Sequence, residues 1–174
     1  VELAKAAGCI ISLDMASYNV VESNDAFLHD IVENYVDIVF ANETEAKAFT
    51  KMEPREALDD IARQCSIAVV KVGKDGSMLK SGDEYHYIPA WPAATVDATG
   101  AGDTYAAGFL YAHSLGINTA MKEYPIVRVF DWVKKVLMNF VHEVALENWD
   151  PYNSPIRFQT LFSMSFCVTM LHLR

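Results

Sequence analysis

The sequence predicts an α/β protein in three layers, a mostly parallel sheet with helices on both faces, and three observations carry that expectation. Short apolar runs without polar alternation, CIISLD (9–14), DIVFA (37–41) and IAVVKV (67–72), have the pattern of buried parallel strands. Segments of helical spacing separate them. A stretch of small residues, DATGAGDTYAAG from Asp97 to Gly108, falls at the carboxyl end of such an arrangement, where open α/β sheets bind ligands.

Taken in order, the first strand ends in Asp14, which is expected either to face a ligand or to serve as a turn or cap aspartate. From Asn24 to Tyr35 the apolar positions Phe27, Leu28, Ile31, Val32 and Tyr35 recur at three and four, which predicts a helix. The second strand runs directly into Asn42-Glu43-Thr44-Glu45, where Asn42 as N-cap and Glu45 three residues on have capping-box spacing. The same placement puts Glu45 at a strand's carboxyl end, suited to organising a hydrated Mg²⁺, and the two roles are compatible. Pro54 opens a helix with Ala57, Leu58, Ile61, Ala62 and Cys65 on one face. After the third strand, Gly73-Lys74-Asp75-Gly76 turns into a β-hairpin, Ser77 to Lys80 and Glu84 to Ile88, in which His86 is expected to be exposed rather than a ligand.

Beyond Gly116 the character changes. A helix is expected from Pro125, with Ile126, Val129, Phe130, Val133, Val136, Leu137, Phe140 and Val144 as its apolar stripe. The run from Phe158 to Leu173 has only weak helical spacing. The expected division is therefore an α/β portion over 1–116 and a helical tail over 117–174.

Charge and cysteines narrow the function. A formal net charge of −9 argues against a nucleic-acid partner, which needs a basic stripe. An anionic substrate would then need local help from backbone N–H groups and a divalent metal. The three cysteines, Cys9, Cys65 and Cys167, are scattered without a CxxC, as expected for a reducing, cytoplasmic setting. The uncharged run Phe158 to Leu173 is shorter than the ~20 apolar residues of a membrane span, so no membrane helix is expected. The chain opens on Val1-Glu2-Leu3 without an initiator Met, which leads one to expect an N-terminally truncated fold.

The stretch from Asp97 to Gly108 holds the chemistry. Three glycines let backbone N–H groups close on a ligand, and a helix start leaves such groups without intrahelical partners. An anion is the natural guest, and Asp103 in the same turn would stand beside it as a proton acceptor. The segment contains neither GxxxxGK[ST] nor GxGxxG, so it is neither a P-loop nor a dinucleotide fingerprint, which disfavours a dinucleotide-dependent oxidoreductase.

Asp97-Ala98-Thr99-Gly100-Ala101-Gly102-Asp103 closely resembles the C-terminal signature of the ribokinase-like, PfkB-type sugar and nucleoside kinases. Two further motifs of that family stand in the expected order. Asn42 to Glu45 matches its N-x-x-E motif, with ANETEA similar to adenosine-kinase-like members, and Lys71 to Gly76 matches its nucleotide loop. The resemblance implies a ribokinase-like α/β/α fold. It also implies ATP-dependent phosphate transfer to a hydroxymethyl group of a small-molecule sugar or nucleoside. By the same resemblance Asp103 is the catalytic base, and the backbone N–H groups of Gly100, Ala101, Gly102 and Asp103 form the anion hole. Lys71, Gly73, Gly76 and Thr99 contact nucleotide, and Asn42 and Glu45 hold Mg²⁺ through water.

The resemblance runs from about Gly8 to Gly116 and corresponds to the C-terminal half of a typical member. After the first strand the family often carries an Asn and an Arg, where this chain has Ala16 and Tyr18. These departures support a rival reading, a non-catalytic nucleotide-binding fragment or pseudokinase without the substrate half and lid. They also lead to the expectation of an unpaired sheet edge, covered by the 126–144 stripe or by self-association, up to a homo-oligomer.

Overall fold

A computed structural model of the chain describes residues 1–90, 100–114 and the strand 168–171. The expected helix from Pro125 lies outside these residues. In chain order the elements are α1 (Glu2–Ala6), β1 (Ile10–Asp14), α2 (Tyr18–Ser23), α3 (Asp25–Tyr35), β2 (Ile38–Asn42), α4 (Glu43–Thr50), α5 (Pro54–Ile61), β3 (Ile67–Lys71), β4 (Ser77–Ser81), β5 (Glu84–Ile88), α6 (Ala101–Ser114) and β6 (Val168–Leu171). They fall into two compact units, Val1–Val96 with Phe166–Arg174, and Asp97–Ser165.

The first unit holds a six-stranded sheet in the order β5-β4-β3-β2-β1-β6. Its centre, β1-β2-β3, is parallel, with Asp14 beside Phe40 and Asn42 beside Lys71. The hairpin strands β4 and β5 extend it antiparallel on one side, and β6 pairs antiparallel with β1 on the other. The parallel centre follows from sequence. Apolar runs without alternation survive only where both faces are covered. On one face Ile11, Leu13, Val39, Ala41, Ala68 and Val70 join the core made by Leu28, Val32, Phe49, Leu58 and Ile61 of the helices. On the other face Ile38, Phe40, Val69 and Leu79 are also buried.

The strand β6 departs from the weak helical spacing of its segment. Pairing explains it: an edge strand offers Val168 to Leu171 a complete ladder, which outweighs a marginal helical period. The edge of β1 is thereby paired within the chain.

The two ends of the sheet are used differently. At the amino end, Asp37 braces the strands, its carboxylate accepting from the Ile11 N–H (2.9 Å) and from Lys5 Nζ (2.6 Å). At the carboxyl end the chain leaves each parallel strand into a turn or a helix start, and these turns gather charge. Ala16, just past β1, has φ 60°, a left-handed conformation that an alanine adopts at a cost.

In the second unit, α6 begins after Gly100, whose φ is 75°. The Thr104 N–H donates to the Gly100 carbonyl (2.9 Å), the first intrahelical bond. Phe109, Leu110 and Ala112 are buried, and the rings of Phe109 and His113 lie nearly parallel, one turn apart. Burial lowers the His113 pKa below the usual histidine value.

Candidate active site

The carboxyl end of the three parallel strands holds four polar side chains in close register. Asn42 ends β2 with β-region backbone and caps α4, its Oδ1 accepting from the N–H groups of Thr44 and Glu45 (both 2.9 Å) and from Thr44 Oγ1 (2.7 Å). Glu45 reciprocates with both oxygens. Its Oε2 accepts from the Asn42 N–H (2.8 Å) and its Oε1 from Asn42 Nδ2 (2.7 Å), so the capping box expected from the spacing is complete.

Glu45 is 3% exposed, and its carboxyl pKa is raised. Burial is the main cause, opposed by the Asn42 hydrogen bond and the Lys71 ammonium, and reinforced by the negative charges of Asp14 and Glu43. Charge therefore converges on this residue from the ends of β1 and β3 as well as from its own helix.

Asp14 and Lys71 supply that convergence. Lys71 Nζ donates to Asp14 Oδ2 (2.9 Å) from two strands away, and both side chains are mostly buried, at 16% exposure for Lys71 and 17% for Asp14. Asp14 Oδ1 accepts from the Ala16 N–H (3.0 Å). Of the two roles left open for Asp14, the turn role is thus real, and a second partner occupies its other oxygen.

The loop expected to contact nucleotide is a short 3₁₀ turn, Gly73–Asp75, closed by bonds from the Asp75 N–H to the Val72 carbonyl and from the Gly76 N–H to the Gly73 carbonyl (both 3.1 Å). Its two glycines differ in kind. A Cβ on Gly73 (φ 54°) would meet nothing nearer than Glu43 Oε1 at 3.9 Å, which also places this turn beside the start of α4. A Cβ on Gly76 (φ 106°) would lie 2.0 Å from the Ile88 carbonyl oxygen. Gly76 is therefore needed where β4 leaves the turn and passes the end of β5, whatever else it does.

Thr44 also lines a surface groove of about 460 Å³, with Tyr18, Glu22, Lys47, Ala48 and Lys51. Sequence reasoning singles out none of the six for a groove; α2 is short and buries only Val21, so no apolar stripe announces it.

In the second unit Ala101, Gly102 and Asp103 form the first turn of α6, where backbone N–H groups have no intrahelical acceptor. Gly100 precedes them with φ 75°, in the left-handed region that glycine adopts without steric cost. Thr99 lies outside the described residues. Among the described residues no three His, Cys, Asp or Glu side chains form a metal-binding group. The donor set at Asn42 and Glu45 nonetheless suits Mg²⁺, which keeps most of its waters and takes one or two protein carboxylates. Since each Glu45 oxygen already accepts one hydrogen bond, it fits a hydrated ion better than direct ligation. Burial pushes the Cys65 thiol up to about 12. No helix of the described residues is long and apolar enough to cross a membrane.

Known proteins share this architecture. The chain is 30% identical over 122 residues to a 5-dehydro-2-deoxygluconokinase of Lacticaseibacillus casei, covering 65% of this chain and 37% of that enzyme. Its structure matches an adenosine kinase from Sinorhizobium meliloti with a TM-score of 0.61 and 35% identity, over 64% of this chain and 35% of that one. It also matches the Anopheles gambiae adenosine kinase in complex with P1,P4-di(adenosine-5) tetraphosphate, with a TM-score of 0.62 and 28% identity, over 77% of this chain and 43% of that one. The chain thus spans well under half the length of these relatives. The family model for pfkB carbohydrate kinases matches residues 2–120, and the chain belongs to that family.

Proposed function

We propose that the chain carries the phosphoryl-transfer corner of an ATP-dependent kinase whose acceptor is a hydroxymethyl group of a sugar or nucleoside. The observation that carries this reading is the start of α6: a left-handed Gly100 followed by a first turn that contains Asp103. Asp103 takes the proton of the acceptor hydroxyl as its oxygen bonds to the γ-phosphorus. The bond from that phosphorus to the β–γ bridging oxygen breaks, and ADP leaves. Backbone N–H groups of Gly100, Ala101, Gly102 and Asp103 receive the charge on the transferring oxygens, the kind of fixed positioning that dominates phosphoryl transfer. Lys71, Gly73, Gly76 and Thr99 serve the nucleotide. Asn42 and Glu45 would hold the water shell of Mg²⁺, which when bound neutralises phosphate charge.

The relatives' names favour both acceptor classes, a sugar derivative for the Lacticaseibacillus enzyme and adenosine for the solved kinases. Phosphate transfer to a panel of sugars and nucleosides, compared between the chain and its Asp103→Asn variant, tests the reading. Loss of a general base removes a factor of about 10²–10⁴. A variant that keeps most of the activity would refute the base.

A second reading, a nucleotide-binding module without transfer, is favoured by Ala16 and Tyr18, which stand where the family often carries an Asn and an Arg. Calorimetry with Mg·ATP separates the two, since binding without turnover supports the module. Self-association through a sheet edge fits either reading, with β5 and β6 as the edge strands. Sedimentation of a strictly monomeric chain would count against it.

A further inference from the structure

Asp14 belongs to no motif of the proposed chemistry, yet at the carboxyl end of the sheet it holds a different residue on each of its oxygens. Its two oxygens do different work. Oδ1 is fixed by the Ala16 N–H (3.0 Å), which orients the carboxyl plane, and Oδ2 then meets Lys71 Nζ at 2.9 Å. The two residues are 57 positions apart in sequence, and β2 lies between their strands. The Lys71 side chain must therefore reach across the end of β2, over the point where Asn42 and Glu45 begin α4. Both partners are mostly buried, so little solvent competes for the pair. An ammonium has three N–H donors, and Asp14 takes one, which leaves the others to be aimed by the same contact.

We propose that Asp14 is a positioning residue, holding the Lys71 ammonium over the end of β2 so that it meets the phosphates of a bound nucleoside triphosphate. The inference rests on the kinase reading above. Without Asp14 the Lys71 side chain has four rotatable bonds and no fixed direction, and the phosphates themselves must order it on binding. Losing a carboxylate from the site works the other way, because it removes a repulsion on the incoming anion. Restraint prevails over repulsion here because bound Mg²⁺ would offset phosphate charge, whereas the directional hydrogen bond of Lys71 is the one to Asp14, Glu45 attracting the ammonium through its charge.

Asp14→Asn keeps the shape and the acceptor for the Ala16 N–H but loses the charge that holds Lys71. Titration calorimetry on the chain with Mg·ATP and with AMP is expected to show about tenfold weaker Mg·ATP binding for Asp14→Asn. AMP binding is expected to change less than about twofold, and the Asp14 effect to vanish in a Lys71→Met background. A merely structural loss would weaken both nucleotides alike and would persist beside Lys71→Met. Equal or tighter Mg·ATP binding by Asp14→Asn overturns the proposal. A second measurement is independent of nucleotide: the acylation rate of Lys71 by an N-hydroxysuccinimide ester, read by mass spectrometry, should rise several-fold in Asp14→Asn. Equal rates overturn the hold of Asp14 on Lys71. A wild-type chain that takes up no Mg·ATP while Lys71 still becomes more reactive in Asp14→Asn sinks the nucleotide reading, and the phosphate role with it, and leaves the hold supported.

Discussion

Asn42 and Glu45 saturate one another: Glu45 receives two hydrogen bonds from Asn42, at 2.8 and 2.7 Å, and Asn42 Oδ1 receives the Glu45 N–H at 2.9 Å. A pair this closed is first of all a helix start. Asn42→Ala removes the cap of α4 and one of the Glu45 contacts, and is expected to cost about 1–2 kcal/mol in urea denaturation. Asn42→Asp keeps the cap acceptor but sets a carboxylate against the buried Glu45. It should be the worse of the two at neutral pH and recover on acidification. An Asn42→Asp variant as stable as the wild type at neutral pH would mean that the Glu45 carboxyl is turned elsewhere.

The raised pKa of Glu45 gives the pair a pH dependence with a definite sign. Because burial favours its neutral form, the folded chain binds this proton more readily than the unfolded chain does. Its contribution to stability is fully present below the ordinary value of 4.5 and is lost as pH rises through the folded value. Glu45→Gln has no such proton. Its amide also turns a donor toward Asn42, leaving a buried group unpaired at a cost of about 1–3 kcal/mol. The stability difference between wild type and Glu45→Gln should therefore shrink as pH rises from 4.5. Thermal melts of both proteins across that range check it, and a difference that grows with pH would contradict the assignment.

The two glycines of the 73–76 turn should separate sharply. Gly73→Ala bears only the strain of a left-handed alanine, about 1–2 kcal/mol. Gly76→Ala drives a Cβ into the Ile88 carbonyl as well, so about 3 kcal/mol or more is expected. Denaturant midpoints rank them directly. Equal losses would show that the turn relaxes away from β5 without penalty.

The same contrast marks what a sequence can and cannot disclose. Strands β1 to β3 were legible as apolar runs, β4 and β5 as a hairpin marked by its turn residues, α3 and α5 by apolar positions at three and four, and the start of α4 by its capping spacing. The helices α1 and α2 were not, since each buries one residue, Ala4 and Val21, and so has no stripe. The pairing of β6 with β1 left no periodic trace, because the signal lies in the partner. Within the site, Asn42 and Glu45 were legible at a spacing of three. Asp14 and Lys71 were each visible at a strand end, but their ion pair joins residues 57 apart and exists only once β1, β2 and β3 are in register. Gly76 was marked as a ligand residue by its motif, and only the path of β5 reveals its packing role.

Ala16 is a site where the fold holds strain that a substitution can release. Its φ of 60° lies in the region that glycine and asparagine adopt readily and alanine does not. The position is held there by the Asp14 Oδ1 contact before it and by Ser17, which caps α2, after it. Glycine relieves about 1–2 kcal/mol of strain but adds freedom to the unfolded chain, so Ala16→Gly should gain at most about 1 kcal/mol. Asparagine tolerates the same backbone without that entropic loss, and Ala16→Asn is expected to gain a similar amount. A branched side chain cannot follow, and Ala16→Val should lose more than about 1 kcal/mol. Chemical denaturation with an unchanged m-value reads all three. The order Asn and Gly above Ala above Val confirms a left-handed residue between Asp14 and α2, and a stabilised valine variant would remove it.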